Sequence, residues 1–257
     1  MKSLHKVLDI IEVVSKVGSA GTRQLSSLTG FPPPTIHRII STLVERHYLK
    51  QDPVTKKLSL SIRFLELGTA VQLQFNLATV ARPHLEKLME EARESVNLAI
   101  RDGDHAVYLE HVRSEYSMLQ LFTKPGARVH LYCTGVGKMF LSLWSEEEVR
   151  AYLSRIEIRA KTAHTLVKPE HIVENLSKVR AQGFAVDDQE TEMGVRCVAA
   201  LALNHKGEPE AAVSISGAAM RITPERIPFY ARMVKDCALE ISRELGFRPG
   251  EQAISTS

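Results

Sequence analysis

Three consecutive prolines, Pro32, Pro33 and Pro34, decide where helices can run in the first third of this 257-residue chain. Proline has no amide hydrogen and clashes inside a helix, yet it suits the first helical turn. A helix is therefore expected to start at this run, and Ile36, Ile39, Ile40, Leu43 and Val44 supply its buried stripe at helical spacing. Upstream, Leu4, Val7, Leu8, Ile11 and Val14 predict an amphipathic helix from Ser3 to about Lys16, ended by Gly18 and Gly21. Between the two, Thr22 is expected to cap a short helix that turns Leu25 and Leu28 inward, and Gly30 suits the left-handed position that closes it. After the third helix, 48–51 and 57–60 alternate as short strands around the Asp52-Pro53 turn, with Lys56 and Lys57 near the hairpin tip.

Helix, tight turn, helix and basic hairpin, in that order, are the parts of a winged reader of the DNA major groove. Charge agrees: residues 1–61 hold nine Lys/Arg against four acids, a net +5, while the whole chain is +3, so the remainder is −2. A basic head on a mildly acidic body directs a polyanion to the head. The third helix leaves Thr35, His37, Arg38, Ser41 and Thr42 on or beside its outer face, where they are donors and acceptors for bases and phosphates. Thr22 and Arg23 at the second helix, and Lys56 and Lys57 on the hairpin, complete the expected DNA contacts.

With 44% hydrophobic and 25% charged residues, the chain has room for about two domains. No apolar run approaches membrane-spanning length, and the start MKSLHKVLDI lacks a signal-peptide core, so no membrane association is expected. Three widely spaced cysteines, Cys133, Cys197 and Cys237, argue against a disulfide framework and for the cytoplasm.

The expected organisation is a DNA-binding domain at 1–61, a linker helix at 62–78, an α+β domain at 79–248 and a flexible tail at 249–257. The connector's stripe of Phe64, Leu65, Leu67, Val71 and Leu73 needs a partner and is a natural place for a dimer; Pro83 should kink or restart the helix that follows. Beyond Ser95 the period changes. Strands are expected at 96–100, 106–112, 118–122, 184–186, 195–203 and 211–216, with helices at 136–143, 146–153, 170–182 and from about Thr223 to Leu245.

Several chemistries find no support. Gly135 to Lys138 reads GVGK, but a phosphate loop needs Gly at Tyr132 and Ser or Thr at Met139. No nucleophile elbow, zinc-protease helix or paired CxxC is present. The spacings of His130, Cys133, His164, His171 and Cys197 match no known metal cluster, so neither metal nor cofactor is expected. A catalytic Cys197 would need a base or positive field to lower its pKa, and the sequence identifies neither.

The chain resembles the IclR family of bacterial transcription regulators. The resemblance rests on KVLDIIEVV, GFPPPTIHRIISTLVERHYL, FLELG, GARVHLYCTGVGK and GFAVDDQETEMGVRC followed by AAVSISG, in order over nearly the whole length. It implies a winged helix-turn-helix domain, a linker helix and a GAF-like effector-binding domain, assembled as a dimer or dimer of dimers on palindromic double-stranded operators. It also implies a small carboxylate effector, with repression the favoured sense. Carried over by position, Gly135 and Val136 would offer backbone N–H groups, Asp187, Cys197, Ser214 and Ser216 would ring the ligand, and Met118 and Leu121 would form its apolar wall.

Those positions also make physical sense as a carboxylate site, since Ser214 and Ser216 alternate to one side of a strand. Asp187 would repel an anion, so it is expected to be protonated with ligand bound or to accept from a ligand hydroxyl. Pro33 and Pro34 stand where the family commonly has polar or basic residues, which throws more of the DNA contact onto Thr35, His37 and Arg38. Two rival readings are a thiol enzyme using Cys197 and a DNA-binding protein whose second domain is purely structural.

Overall fold

The computed structural model describes residues 2–67, 77–116 and 124–249, which form two compact units, one up to Asn76 and one from Leu77. The strand expected at 118–122, with Met118 and Leu121, and the middle of the connector lie outside the described residues.

The first unit has helices α1 (Lys2–Val17), α2 (Thr22–Thr29) and α3 (Pro33–Glu45), then strands β1 (Leu49–Gln51) and β2 (Leu58–Leu60). Pro32 is the N-cap of α3, so the proline run occupies the helix start, where no intrahelical N–H bond is lost. Gly30 closes α2 in the left-handed conformation at φ 70°. Ile36, Ile39, Ile40 and Leu43 are buried against Ile10, Val14, Leu25, Leu49 and Leu58.

Two details of this unit differ from expectation. The N-cap of α2 is Gly21, with Thr22 already the first helical residue and no side-chain cap present. The buried face of α1 is also rotated: Ile10 and Val14 are enclosed, whereas Leu4 is 66% and Leu8 49% exposed. Ile10 was absent from the expected stripe, and because one residue turns a helix by 100°, its inclusion moves Leu4 and Leu8 to the flank.

The wing is tied at both ends. Ala20 pairs with Leu58 through two backbone bonds of 2.9 Å. In the turn, Asp52 Oδ1 accepts from Val54 N at 3.0 Å and from Thr55 N at 2.6 Å.

The second unit is a six-stranded antiparallel sheet between two helical layers. Its elements are α4 (Leu77–Ala92), β3 (Ser95–Asp102), β4 (His105–Val112), β5 (Arg128–His130), α5 (Gly135–Leu141), α6 (Glu146–Arg155), α7 (Pro169–Gln182), β6 (Ala185–Asp188), β7 (Val195–Leu203), β8 (Pro209–Ala218), a 3-10 turn (Pro224–Arg226) and α8 (Ile227–Glu244). The strand order is β5-β4-β3-β8-β7-β6. Strand β5 was not expected, and α4 runs unbroken through Pro83 instead of restarting there.

Strand alternation sorts the residues of this sheet into two cores. Val96, Leu98, Val198, Ala200, Val213 and Ile215 face α4 and α8. Ala99, Ala185, Ala199 and Ala212 face α5, α6 and α7 with Tyr132, Phe140, Tyr152 and Leu176. The alanines on this second face let α5 approach closely: a Cβ at Gly135 would lie 3.3 Å from Ala199 Cβ. The same face carries the polar residues Asn97, Asp187, Ser214 and Ser216.

Candidate functional site

In the head, α2 and α3 form a shallow cleft lined by Thr22, Arg23, Ser26, Ser27, Pro33 and His37. His37, Arg38, Ser41 and Thr42 are exposed along α3, and Thr35 is half-buried in its first turn. Thr42 is partly occupied, since its hydroxyl donates to Arg38 O at 3.1 Å. Lys6 lies 5.2 Å above the Phe31 ring, which anchors that cation beside the turn. On the wing, Lys57 lines a second shallow groove with Lys50 and Ser59, and Lys56 stands in the left-handed conformation at φ 58°.

In the second unit, a cavity of about 200 Å³ opens on the α5 side of the sheet. Its wall includes Tyr108, Val129, Thr134, Asp187, Cys197 and Ser216. Register explains the grouping, because Asp187 pairs with Cys197 and Cys197 with Ser216 on three adjacent strands. Ser214, one pleat along from Ser216, pairs with Ala199 and Asn97 and lies behind the lining. Gly135 and Val136 begin α5 above Ala199, likewise outside the lining, and no acceptor for their N–H groups occurs among the described residues. Thr134 caps that helix by accepting from Gly137 N at 3.1 Å.

Asp187 is buried and spends its lone pairs on the loop that follows β6. Oδ1 accepts from Glu190 N at 2.8 Å, and Oδ2 accepts from the Thr191 hydroxyl at 2.7 Å. Burial nevertheless outweighs these bonds and raises its pKa above the ordinary carboxylate value. Lys138, fully enclosed on α5, forms an ion pair with Glu190 and donates to Val186 O at 3.0 Å. Glu190 is also raised, again chiefly by burial.

The Cys197 thiol is pushed well above its usual value by burial, and Asp187 adds to the effect. It is a protonated wall atom, unlike the low-pKa thiolate a nucleophile requires. Among the described residues no group of three or more His, Cys, Asp or Glu is arranged to hold a metal ion.

Sequence reasoning missed Thr134, Tyr108 and Asn97. Thr134 had a usable signal, a threonine directly before a helix start. Tyr108, on the cavity wall, and Asn97, bonded to Ser214 and Ser216, had none, because their placement depends on strand pairing.

Comparison with known proteins gives the same two parts. The IclR helix-turn-helix domain matches residues 3–53, and the bacterial transcriptional regulator IclR C-terminal domain matches residues 69–243. The chain is 31% identical over 246 residues to the HTH-type transcriptional regulator KipR of Bacillus subtilis, covering 96% of this chain and 98% of that protein. It is 32% identical over 249 residues to the transcriptional repressor IclR of Escherichia coli, covering 96% and 90%. The crystal structure of Thermotoga maritima IclR superposes with a TM-score of 0.64 at 31% identity, covering 96% of this chain and all of that one. The repressor BlcR of Agobacterium tumefaciens shares the fold, with a TM-score of 0.82 at 20% identity over 96% and 98% of the two chains. A winged head, a curled antiparallel effector domain and whole-length kinship to regulators and repressors establish a DNA-binding transcription regulator, not an enzyme, and the chain belongs to the IclR family.

Proposed function

We propose that this regulator binds a palindromic operator as a dimer or dimer of dimers and that a small organic acid in the β6–β7–β8 cavity controls it, with repression the favoured sense. The single observation that carries the reading is the cavity itself: about 200 Å³, with hydroxyl groups of Thr134, Thr191 and Ser216 on its wall. That volume suits a metabolite of a few heavy atoms and is below the span of drug-sized ligand pockets. Among the described residues Thr134 donates its proton to His130 O at 2.8 Å and Thr191 to Asp187 Oδ2 at 2.7 Å, so of the three it is the neutral Ser216 hydroxyl that can donate to a carboxylate. Among the described residues the lining contains Asp187 and Glu192 but neither Lys nor Arg, so an acid binds best when Asp187 is protonated or accepts from a ligand hydroxyl.

The DNA contacts are Thr22, Arg23, Thr35, His37, Arg38 and Ser41, with Lys56 and Lys57 on phosphate. Gly135, Val136 and Ser214 approach the ligand from beside the cavity, and Met118 and Leu121, outside the described residues, are the apolar contacts that the family resemblance implies. Leu4, Leu8, Ile62 and Leu65, all 49–67% exposed, offer the apolar surface through which copies of the head would pair.

The test is a binding assay of the purified protein on the intergenic region beside its own gene, with and without a panel of small carboxylates. Specific binding that one acid releases or tightens is the expected result. Specific binding indifferent to every acid contradicts effector control. No specific binding there contradicts control of the adjacent gene and directs the operator search genome-wide.

A further inference from the structure

Asn97 is completely buried on β3, between the cavity strands and β4. Its amide Nδ2 lies 3.3 Å from Ser214 Oγ and 3.1 Å from Ser216 Oγ, and its Oδ1 lies 2.7 Å from His111 Nδ1. His111, Asn97 and Ser214 are cross-strand partners, so backbone register fixes the row.

A primary amide has two N–H hydrogens, and here each has a serine oxygen as its acceptor. Each hydroxyl thus receives one hydrogen bond from Asn97 and keeps its own proton for another acceptor. Cys197 is the cross-strand partner of Ser216 and so the neighbouring side chain, and sulfur is a weak acceptor. A ligand oxygen readily displaces it.

The orientation of the amide is set from the far side. A His111 that bears a proton on Nδ1, whether as the cation or as that neutral tautomer, must meet Oδ1 of Asn97. An imidazole protonated only on Nε2 would accept instead, rotate the amide, and turn Asn97 Oδ1 onto the serines. Both hydroxyls would then donate to Asn97, and Ser216 would face the cavity as an acceptor. Burial and Arg113 lower the His111 pKa and favour the neutral ring.

We propose that His111 and Asn97 are positioning residues that fix Ser216, and Ser214 behind it, as hydrogen-bond donors, and so select an anionic oxygen over an amide in the cavity. The proposal rests on the carboxylate reading above for the nature of the ligand, but the donor polarity can be read without any ligand.

Two measurements on the full-length protein test it. In the ligand-free protein, a long-range proton–nitrogen correlation of the imidazoles, assigned by loss of one signal in His111→Phe, should place the proton on Nδ1. A bare Nδ1 at neutral pH overturns the proposal, whatever the protein binds. Calorimetry then compares acetate, lactate and pyruvate with their uncharged amides. Acid affinity should fall about tenfold in Asn97→Asp, whose carboxylate accepts from both serines, the effect of one lost charge-assisted hydrogen bond. Where that variant does not fold, His111→Phe, at a half-buried position, should lower the acid-over-amide ratio. A folded Asn97→Asp that binds acids like the wild type, or an unchanged ratio in His111→Phe, overturns the proposal. A wild type that binds no acid contradicts the carboxylate reading, while the donor polarity stands or falls on the imidazole signal alone.

Discussion

The Asp187 carboxylate accepts the backbone N–H of Glu190 at 2.8 Å, so the acid at the cavity wall is also the anchor of the loop after β6. This double duty explains how an acid can line a site proposed for anions. Its oxygens are turned into the protein's own donors, and burial favours the neutral form.

A pH dependence follows from that environment. The folded pKa of Asp187 is raised above its unfolded value, so the associated stability is fully present below the ordinary carboxylate range and is lost as pH rises through the folded pKa. Within that window each pH unit changes stability by at most about 1.4 kcal/mol per group. Glu190 shifts in the same direction, so the comparison must isolate Asp187. Denaturant titrations from pH 4 to pH 8, windows on the order of a few units, should show Asp187→Asn losing less stability than the wild type as pH rises. Acid affinity of the wild type should fall over the same range, and parallel stability curves would contradict the assignment.

Lys138 and Glu190 make the second prediction. Both are buried, and Glu190 Oε2 has no hydrogen-bond partner among the described residues. Lys138→Met leaves Glu190 an uncompensated buried charge and should cost about 3–5 kcal/mol in urea unfolding. Adding Glu190→Leu removes the orphaned charge and should recover most of that loss; a double variant as unstable as the single one would contradict this account.

A third prediction concerns the start of α5. A Cβ at Gly137 would collide with the backbone of Leu131 and lie 2.6 Å from Thr134 Oγ1, the atom that caps the helix. Backbone cannot move aside as a flexible side chain can. Gly137→Ala should therefore destabilise the effector domain by about 1–3 kcal/mol and weaken acid binding, as read by melting and calorimetry.

The winged head was legible in the sequence because its signals are local. Prolines at a helix start, a left-handed Gly30 and apolar residues at helical spacing each act within a few positions. Most strands were legible for the same reason, through their alternation. The three-residue β5 was not, since its pairing with the edge of β4 supplies what its own sequence lacks. Leu4 and Leu8 misled because periodicity finds an apolar stripe without saying which of its flanks is covered. The burial of Lys138 left no local signal, because only the loop holding Glu190, 52 positions away, makes it tolerable. The link from Asn97 to Ser216 spans 119 positions and has no local trace.

The DNA surface yields a fourth prediction. Arg38 is exposed on α3, whereas Lys57 lines a groove on the wing. Arg38→Ala should weaken specific operator binding by about 1–3 kcal/mol and relax selectivity at one base position. Lys57→Ala should weaken binding to all sequences alike and reduce the slope of log affinity against log salt by about 1. Affinity measured on the operator and on a scrambled duplex at several salt concentrations separates the two roles, and equal losses on both duplexes in Arg38→Ala would contradict a base contact.

The central claim is that one acid in the effector domain and one operator at the head are thermodynamically coupled. The most direct measurement titrates the active acid into the protein with and without saturating operator, beside operator titrations with and without that acid. Linkage requires the two affinities to change by the same factor. Equal factors, in the direction of weaker binding if the acid releases DNA, are the predicted result; an acid that releases DNA yet binds equally well to free and operator-bound protein would contradict the account.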